Sequence, residues 1–437
     1  MVQRPDLTVG SWVEQWGEMS TEDRLRVFHS FSRDTADDLF LELSSRDQHE
    51  LIMEMSEGER RIWLRLLAPD DAADLMQLAT DEERGSLLNH LDEVSRREVT
   101  ALLAYQEDEA GGLMSPRFAR LRPEMTVDEA ISYLRRQAGQ VETIYYAYAL
   151  DETQKLLGVV SFRDLFSADR LKTVRDLMRT DFVAVTDDMD QEAVARLFAM
   201  HHLLAMPVVD RSGRVQGIVT VDDIVEVVQE EASEDIQKVG GMEALDAPYL
   251  EIGFWSMVQK RGGWLAILFV GEMLTATAMG YFEDEIARAV VLALFVPLII
   301  SSGGNSGSQA TTLVIRAMAI GEVRLRDWWV VIRREVLTGL VLGTGLALIG
   351  IARILLWQQI WQPYGIHYGW LALTVGASLI GVVTFGTIAG SMLPFILRRA
   401  GMDPASASAP FVATLVDVTG LVIYFSVAAV ILKGKLL

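Results

Sequence analysis

Residues 287–318 read ARAVVLALFVPLIISSGGNSGSQATTLVIRAM, an apolar stretch that changes midway to the small and polar run 301–309. A stretch of this length can cross the roughly 30 Å hydrocarbon core of a bilayer. Similar stretches lie near 263–282, 334–355, 369–397 and 408–432. The second half of the chain therefore predicts a transmembrane domain of about five helices, over residues 261–437.

Basic residues flank these stretches in alternate loops. They are Lys260, Arg261, Arg316, Arg324, Arg326, Arg333, Arg334, Arg398 and Arg399. Cytosolic loops carry an excess of lysine and arginine, so the flanks predict a cytosolic N-terminus. The acidic loop 282–285 and the tryptophan-rich segment 357–370 would then face outward. We expect a multi-pass protein of the cytoplasmic (inner) membrane, with the lipid bilayer as its partner.

The first half of the chain is strongly acidic. Residues 1–250 hold 50 Asp and Glu against 26 Lys and Arg, whereas residues 251–437 hold 10 against 13. An acidic surface repels phosphates, so nucleic-acid binding is not expected, and it concentrates cations. The absence of cysteine excludes disulfides and cysteine-ligated metal sites. Because the first membrane-grade stretch begins near residue 263, the first 250 residues are expected in the cytosol.

Residues 1–111 predict an all-α, acidic N-terminal domain. Ser/Thr-x-x-Asp/Glu boxes, which are typical of helix N-termini, occur at Ser44/Asp47, Ser56/Glu59, Thr80/Glu83 and Ser95/Glu98. Apolar residues follow at helical spacing, as at Leu87, Leu88 and Leu91. The repeated starts suggest stacked helical hairpins of the α-solenoid type. An ordinary helical domain is the alternative.

Residues 112–230 alternate short β-rich runs with helices, and the pattern occurs twice. The copies close on GVVSFRD at 158–164 and GIVTVDD at 217–223. This tandem resembles a pair of α/β CBS domains. In that family the Ser/Thr and Asp of the closing phrase, here Ser161/Asp164 and Thr220/Asp223, can hold a nucleotide ribose, which makes ATP a candidate ligand. The alternative is that these residues only cap the following helix.

Residues 231–260 predict a polar bridging helix that leads into the membrane. Beyond it, Asp417 lies inside the last apolar stretch, in PFVATLVDVTG at 410–420. A carboxylate at the bilayer centre costs about 3 kcal/mol or more, so Asp417 is expected to face a cavity, a partner or an ion. The alternative is a hydrogen bond to a neighbouring helix through Thr414 or Thr419.

The run 301–309 is the second unusual feature of the membrane half. Non-helical backbone at membrane depth is tolerated where it lines protein or water. Freed carbonyls and the amide of Asn305 would be oxygen ligands for a hard cation. We expect the run to interrupt its span, with a helix-packing seam as the alternative. Glu272, in the first span, would line the pore or pair with another helix.

Nearly the whole chain resembles the MgtE family of Mg²⁺ channels. The motifs that carry the resemblance are GGNSGSQ at 303–309, IRA at 315–317, LPF at 393–395 and TLVDVTG at 414–420. The family commonly has Asn where this chain has Ser308. The resemblance implies a homodimer with its pore on the two-fold axis, where Asp417, Ala413 and Asn305 would face a largely hydrated Mg²⁺.

The resemblance also implies a gate. The bridging segment resembles the family's plug helix, which closes the pore when cytosolic Mg²⁺ is high. Carboxylates that would bind this regulatory Mg²⁺ as a group lie on the bridge, on one helical face of the N-terminal domain and at the membrane rim: Glu231, Glu234, Asp235, Glu243, Asp246, Asp70, Asp74 and Asp403. For any one of them the alternative is a solvated surface carboxylate.

Three other functions are alternatives to a Mg²⁺ channel. A Mg²⁺-linked secondary exchanger shares the same sequence features. A membrane sensor that transports nothing would not need a carboxylate at mid-membrane, so Asp417 argues against it. An enzyme is not expected, because the chain has no cysteine, no histidine cluster and no P-loop.

Overall fold

The computed structural model describes residues 8–17, 19–250 and 252–434. The chain divides into two compact units, residues 1–229 and residues 230–437. The first holds an α-helical domain and two small α/β repeats, and the second holds the long apolar helices.

The N-terminal domain is a series of helices of eight to ten residues. They are α1 (Val9–Trp16), α2 (Thr21–Phe28), α3 (Arg33–Glu42), α4 (Ser45–Glu54), α5 (Glu57–Leu64), α6 (Pro69–Gln77), α7 (Asp81–Leu88) and α8 (Glu93–Leu102). Ser44, Ser56 and Thr80 are N-caps as predicted. The prediction for Ser95 is wrong, because Asp92 caps α8 by accepting from the backbone N–H of Val94 and Ser95.

The helices of this domain stack in sequence order. Helix α2 contacts α4, α4 contacts α6, and α6 contacts α8. Aromatic rings from α2, α3 and α5 pack together in the core of this domain. They belong to Phe28, Phe40 and Trp63, and their ring centroids are 4.8–6.3 Å apart. Each helix is too short to bury an apolar face alone, so stacking supplies the core. This arrangement favours the predicted stack of α-solenoid type over an ordinary helical domain.

Two α/β repeats follow. The first contains β1 (Arg120–Leu121), α9 (Val127–Gln137), β2 (Tyr146–Leu150), β3 (Leu156–Ser161), α10 (Phe162–Ser167) and α11 (Val174–Leu177). The second contains β4 (Val185–Thr186), α12 (Gln191–His201), β5 (Ala205–Val209), β6 (Val215–Thr220) and α13 (Val221–Val239). In each sheet the first strand is parallel to the second, and the second is antiparallel to the third. The predicted tandem α/β architecture is confirmed.

The bridging helix has different ends from those predicted. Helix α13 starts directly after β6 and continues to Val239, so it begins ten residues before the predicted start at 231. Gly240 and Gly241 end it, and Gly241 has a φ of +77°, a left-handed conformation that costs glycine little. The described residues between 240 and 253 are not helical.

The second unit contains the membrane helices. They are α14 (Phe254–Tyr281), the short α15 (Glu283–Arg288), α16 (Val296–Ala319) after a 3-10 turn at Val290–Phe295, α17 (Trp328–Trp361), α18 (Tyr368–Arg399) and α19 (Ala409–Leu432). Five segments of the described chain are long and apolar enough to span a bilayer: Phe254–Tyr281, Val290–Ala319, Leu325–Trp361, Tyr368–Arg399 and Ala409–Ile431. The predicted fold class is therefore confirmed.

The run 301–309 does not interrupt its helix. Helix α16 is continuous through it, so the expectation of freed carbonyls at this point is wrong. The glycines instead allow close helix packing. A Cβ at Gly303 would lie 2.8 Å from Val416 Cγ1, and one at Gly307 would lie 2.8 Å from Val412 Cγ1 and 3.0 Å from the Gly386 carbonyl oxygen. Small residues thus bring α16, α18 and α19 together, which favours the packing-seam alternative.

Candidate ion pathway and regulatory sites

Asp417 is held on α19 against the small-residue face of α16. Its Oδ1 would lie 3.8 Å from a Cβ at Gly304, and Ala413, one turn earlier, would lie 3.6 Å from the same atom. Asp417 is half-buried within the single chain. A Cβ at Gly304 would make only ordinary van der Waals contacts with α19, so the close approach of the two helices depends on Gly303 and Gly307 instead.

Ser308 and Asn305 lie beside this contact. Ser308 Oγ donates a hydrogen bond of 3.2 Å to the Ala409 carbonyl, which ties α16 to the first turn of α19. Asn305 Nδ2 is 3.5 Å from Ser301 Oγ. Ser301, Asn305 and Gln309 are exposed and follow one another at intervals of four residues. They form a polar stripe along the face of α16 that the single chain leaves uncovered.

Glu272 lies on α14, the helix that contacts α19 from another side. A Cβ at the preceding Gly271 would lie 3.0 Å from Thr414 Cγ2. Glu272 itself is exposed on α14 within the single chain.

A cluster of carboxylates lies in the first unit. Asp70 is only 8 % exposed, and its Oδ1 has no hydrogen-bond partner among the described residues. Burial, together with Glu142, Asp71 and Asp223, raises the pKa of Asp70 well above its usual value. Burial, with the charges of Asp71 and Asp223, also raises the pKa of Asp74. These shifts show that the charged forms are crowded and poorly compensated.

Residues distant in sequence complete this acidic cluster. Burial raises the pKa of Asp223 to about 7, although Thr220 donates hydrogen bonds to its carboxylate. Desolvation by neighbouring parts of the chain and the charge of Glu142 raise the pKa of Asp71 to about 6, although the Asp71 side chain is exposed. Partial desolvation also raises the pKa of Glu142, which is likewise exposed. Of this group, the sequence-based regulatory set contained Asp70 and Asp74 but neither Asp71, Glu142 nor Asp223.

The remaining predicted regulatory residues are spread over the second unit. Glu231, Glu234 and Asp235 lie on α13, and Glu243 and Asp246 follow its end. Asp403 Oδ1 caps the 3-10 turn Pro404–Ser406 by accepting from Ala405 N at 2.8 Å. Its other oxygen, Oδ2, is 2.7 Å from Lys238 Nζ. Lys238 also pairs with Glu234, and Lys260 pairs with Asp246.

Direct metal coordination is not prearranged in the part of the chain that is described, where no group of three or more His, Asp or Glu side chains is spaced to hold an ion. Mg²⁺ keeps several waters when it binds carboxylates. Water-mediated binding therefore suits these separated carboxylates better than a closed protein cage does.

The closing phrases of the two α/β repeats differ in their surroundings. Ser161 Oγ accepts a hydrogen bond of 3.0 Å from the backbone N–H of Asp164. Ser161 also lines a cleft of about 740 Å³. Residues of this cleft include Tyr145, Phe162, Arg163, Asp164 and Arg179, and the second repeat also lines it, through His201 and Pro207 among others. Arg179 is 3.7 Å from the Asp164 carboxylate. Thr220 is buried and donates to Asp223 Oδ2 at 2.7 Å, so this pair caps α13 within the acidic cluster. The cleft beside Ser161 thus offers two arginines to a phosphate, whereas acidic residues surround Thr220.

Family models match most of the chain. A model described as "Divalent cation transporter", MgtE, matches residues 296–427, and one described as "MgtE intracellular N domain" matches residues 7–108. The CBS domain model matches residues 110–170 and 174–230.

Curated relatives extend the similarity over nearly the full length. The "Magnesium transporter MgtE" of Thermus thermophilus is 41 % identical over 422 residues, which is 96 % of this chain and 92 % of that protein. The protein of the same name from Bacillus subtilis is 32 % identical over 94 % of this chain and 89 % of its own length. A solved structure described as the cytosolic domain of the Mg²⁺ channel MgtE in complex with ATP is 40 % identical, with a TM-score of 0.49, and covers 51 % of this chain and 91 % of that one.

Proposed function

This chain belongs to the MgtE family of divalent cation transporters, and from this membership we infer that it carries Mg²⁺ across a membrane along a path that passes Asp417. The observation that carries the proposal is the position of Asp417, which is half-buried on α19 where that helix packs against the glycines of α16. A carboxylate within apolar helices is costly unless an ion or a polar surface compensates it.

The ion would move largely hydrated. Mg²⁺ loses water reluctantly and prefers an octahedral shell at 2.0–2.1 Å, as a rule of magnesium chemistry. Asp417, the Ala413 carbonyl and the Asn305 amide would then contact the water shell rather than the metal. The continuous helix of α16 is compatible with this, because waters can be held by side chains without breaking backbone hydrogen bonds.

We propose that the working form is a homodimer. The stripe of Ser301, Asn305 and Gln309 is exposed on a membrane helix of the single chain. Polar side chains at this depth usually face protein or a water-filled path rather than lipid. A second copy packed around this stripe would cover it and bring a second Asp417 to the path. The cytoplasmic membrane, with the first unit in the cytosol, remains the proposed location.

Gating by cytosolic Mg²⁺ would use the two groups of acidic residues. The cluster around Asp70, Asp74 and Asp223 is crowded with charge, so a divalent cation would favour its compact form. The carboxylates of α13 and Asp403 would fix the end of α13 on the membrane unit. Mg²⁺ would thus stabilise a closed arrangement when its cytosolic concentration is high.

We propose ATP as a ligand of the first repeat only. Arg163 could pair with phosphates, as could Arg179 in place of its contact with Asp164. Tyr145 and Phe162 offer aromatic faces for a base, and Asp164 could accept from a ribose. The Thr220/Asp223 pair is excluded from this proposal because Asp223 and the carboxylates around it would repel a nucleotide.

Flux measured with the purified full chain in liposomes tests the function. Mg²⁺ should enter down its gradient, and a patch-clamped bilayer should show unitary currents larger than a carrier supports. Mg²⁺ movement that requires an opposing ion gradient would favour the exchanger. The absence of any cation-dependent flux would contradict transport.

A further inference from the structure

A lysine occupies the position between two carboxylates that are proposed to bind regulatory Mg²⁺. Lys238 Nζ is 2.7 Å from Asp403 Oδ2 and also pairs with Glu234, one turn earlier on α13. The Lys238 and Asp403 side chains are 28 % and 37 % exposed. Partial burial lowers the pKa of Lys238, but the Asp403 and Glu234 carboxylates outweigh this effect and hold that pKa above its usual value. The ammonium is therefore a fixed positive charge at physiological pH.

The contact joins the end of α13 to the loop that precedes α19. Glu234 and Lys238 belong to α13, whereas Asp403 is 165 positions further along the chain. Asp403 is itself oriented by its hydrogen bond with Ala405 N. One lysine thus makes the connection that a bridging divalent cation would make between the same two carboxylates.

Other contacts fix the same end of the helix. Val239 packs against the cluster of Ile315, Ala405 and Ala407. A Cβ at Gly241 would lie 3.0 Å from Trp264 and 3.1 Å from Pro410. The end of α13 is therefore seated by apolar contacts without any metal ion, and the charge of Lys238 decides how much a cation adds.

We propose that Lys238 is a tethered cation that competes with Mg²⁺ for Glu234 and Asp403 and so sets the Mg²⁺ concentration at which the end of α13 is fixed. This inference rests on the proposed Mg²⁺-dependent gate. Two carboxylates and one ammonium leave a net charge of −1, whereas two carboxylates and Mg²⁺ are neutral. Neutralising the Glu234 and Asp403 carboxylates favours Mg²⁺ binding, but Mg²⁺ must displace the Lys238 ammonium first. This competition raises the Mg²⁺ concentration needed to fix the end of α13.

The test follows the protection of residues 240–250 in the full chain in detergent as Mg²⁺ is added at constant ionic strength. Chymotrypsin is suitable because Tyr249 and Leu250 are 72 % and 93 % exposed, and substitution of a lysine leaves these sites intact. In Lys238→Gln the midpoint should fall by roughly fivefold, the equivalent of a partly exposed ion pair. Lys238→Met, which lacks any hydrogen-bonding group, should give the same shift.

Lys238→Arg keeps the charge and should restore a midpoint near that of the wild type. Lys172→Met removes one positive charge from an exposed position of the first repeat and should leave the midpoint unchanged. If both neutral variants keep or raise the wild-type midpoint, Lys238 is not a competitor. If the wild type itself shows no Mg²⁺ protection beyond that given by NaCl, the proposed gate fails and this inference fails with it.

Discussion

Crowded carboxylates lie in both units, but different forces hold them in place. In the membrane unit, Asp417 lies on a continuous helix that packs closely against α16 through Gly303 and Gly307. In the first unit, Asp70 and Asp223 belong to α6 and α13, about 150 residues apart in sequence, and each disfavours the charged form of the other.

This difference would distinguish the proposed ion path at Asp417 from the proposed regulatory switch at the acidic cluster. The packing of α16 against α18 and α19 through Gly303 and Gly307 involves no ions. The Asp417 site should therefore exist whether or not Mg²⁺ is bound. The acidic cluster opposes its own packing, and its compact form should depend on protons or divalent cations. We therefore propose that Mg²⁺ passes the Asp417 site without changing the conformation of that site, whereas Mg²⁺ binding changes the conformation of the acidic cluster.

Neutralising the cluster should have the largest effect on this contrast. The double variant Asp70→Asn, Asp223→Asn removes two crowded charges while keeping side-chain size. At pH 8 without Mg²⁺ its first unit should be more stable by roughly 2 kcal/mol, because the pKa of Asp223 is raised to about 7 and each pKa unit corresponds to about 1.4 kcal/mol, reduced here for partial solvent exposure. Calorimetry of the full chain in detergent measures the change.

The same variant should gain less stability from added Mg²⁺, because two of the charges that attract the ion are gone. Asp34→Asn is the matched control, since it removes a charge at an exposed position of α3 outside the cluster. A double variant that is destabilised without Mg²⁺, or that gains as much from Mg²⁺ as the wild type, would contradict the role of the cluster.

Acidification should have a smaller effect in the same direction. The pKa values of Asp223 and Asp71 are raised to about 7 and about 6, so the folded state binds protons more tightly than the unfolded chain. Stability without Mg²⁺ should therefore rise as pH falls from 8 to 5.5, by about 1–2 kcal/mol. Saturating Mg²⁺ should flatten this dependence because it competes with protons. The thermal midpoint at each pH tests this, and a fall on acidification without Mg²⁺ would refute it.

Nucleotide binding should give the smallest effect and should separate the two repeats. Arg179→Ala, in the cleft of the first repeat, should weaken ATP binding by about tenfold through loss of a charge-assisted contact. Arg211→Ala removes an exposed arginine from the second repeat and should leave binding unchanged. Isothermal titration of the full chain distinguishes them, and equal affinities in both variants would argue against the assigned cleft.

Local patterns predicted most of the fold. Hydropathy located the five membrane segments, and the repeated closing phrase identified the two α/β units. The run 301–309 was misread because glycine both breaks helices and permits close packing. The choice between these depends on Val412, Val416 and Gly386, which belong to other helices.

The regulatory sites depended even more on contacts between distant residues. Asp70 and Asp74 share a helical face and could be predicted from their spacing, but Glu142 and Asp223 lie 68 residues or more away. The pairing of Lys238 with Asp403 joins positions 165 residues apart. Spacing along one helix cannot reveal such neighbours, because they meet only in the folded chain.

The most direct test of the central claim is the Mg²⁺ flux of Asp417→Asn in liposomes. Asn has nearly the same size as Asp, so the glycine-packed helices should remain folded, while the charge that compensates the hydrated ion is lost. Thr419→Ala is the matched control, since Thr419 lies on the same helix and bonds only to the Leu415 carbonyl within it among the hydrogen bonds of the described residues.

The account predicts that Asp417→Asn loses at least 90 % of the wild-type flux, about a tenfold reduction or more, with an unchanged elution volume in size-exclusion chromatography. Thr419→Ala should keep most of its flux. Near-normal Mg²⁺ flux in a folded Asp417→Asn protein would contradict the assignment of Asp417 to the ion pathway.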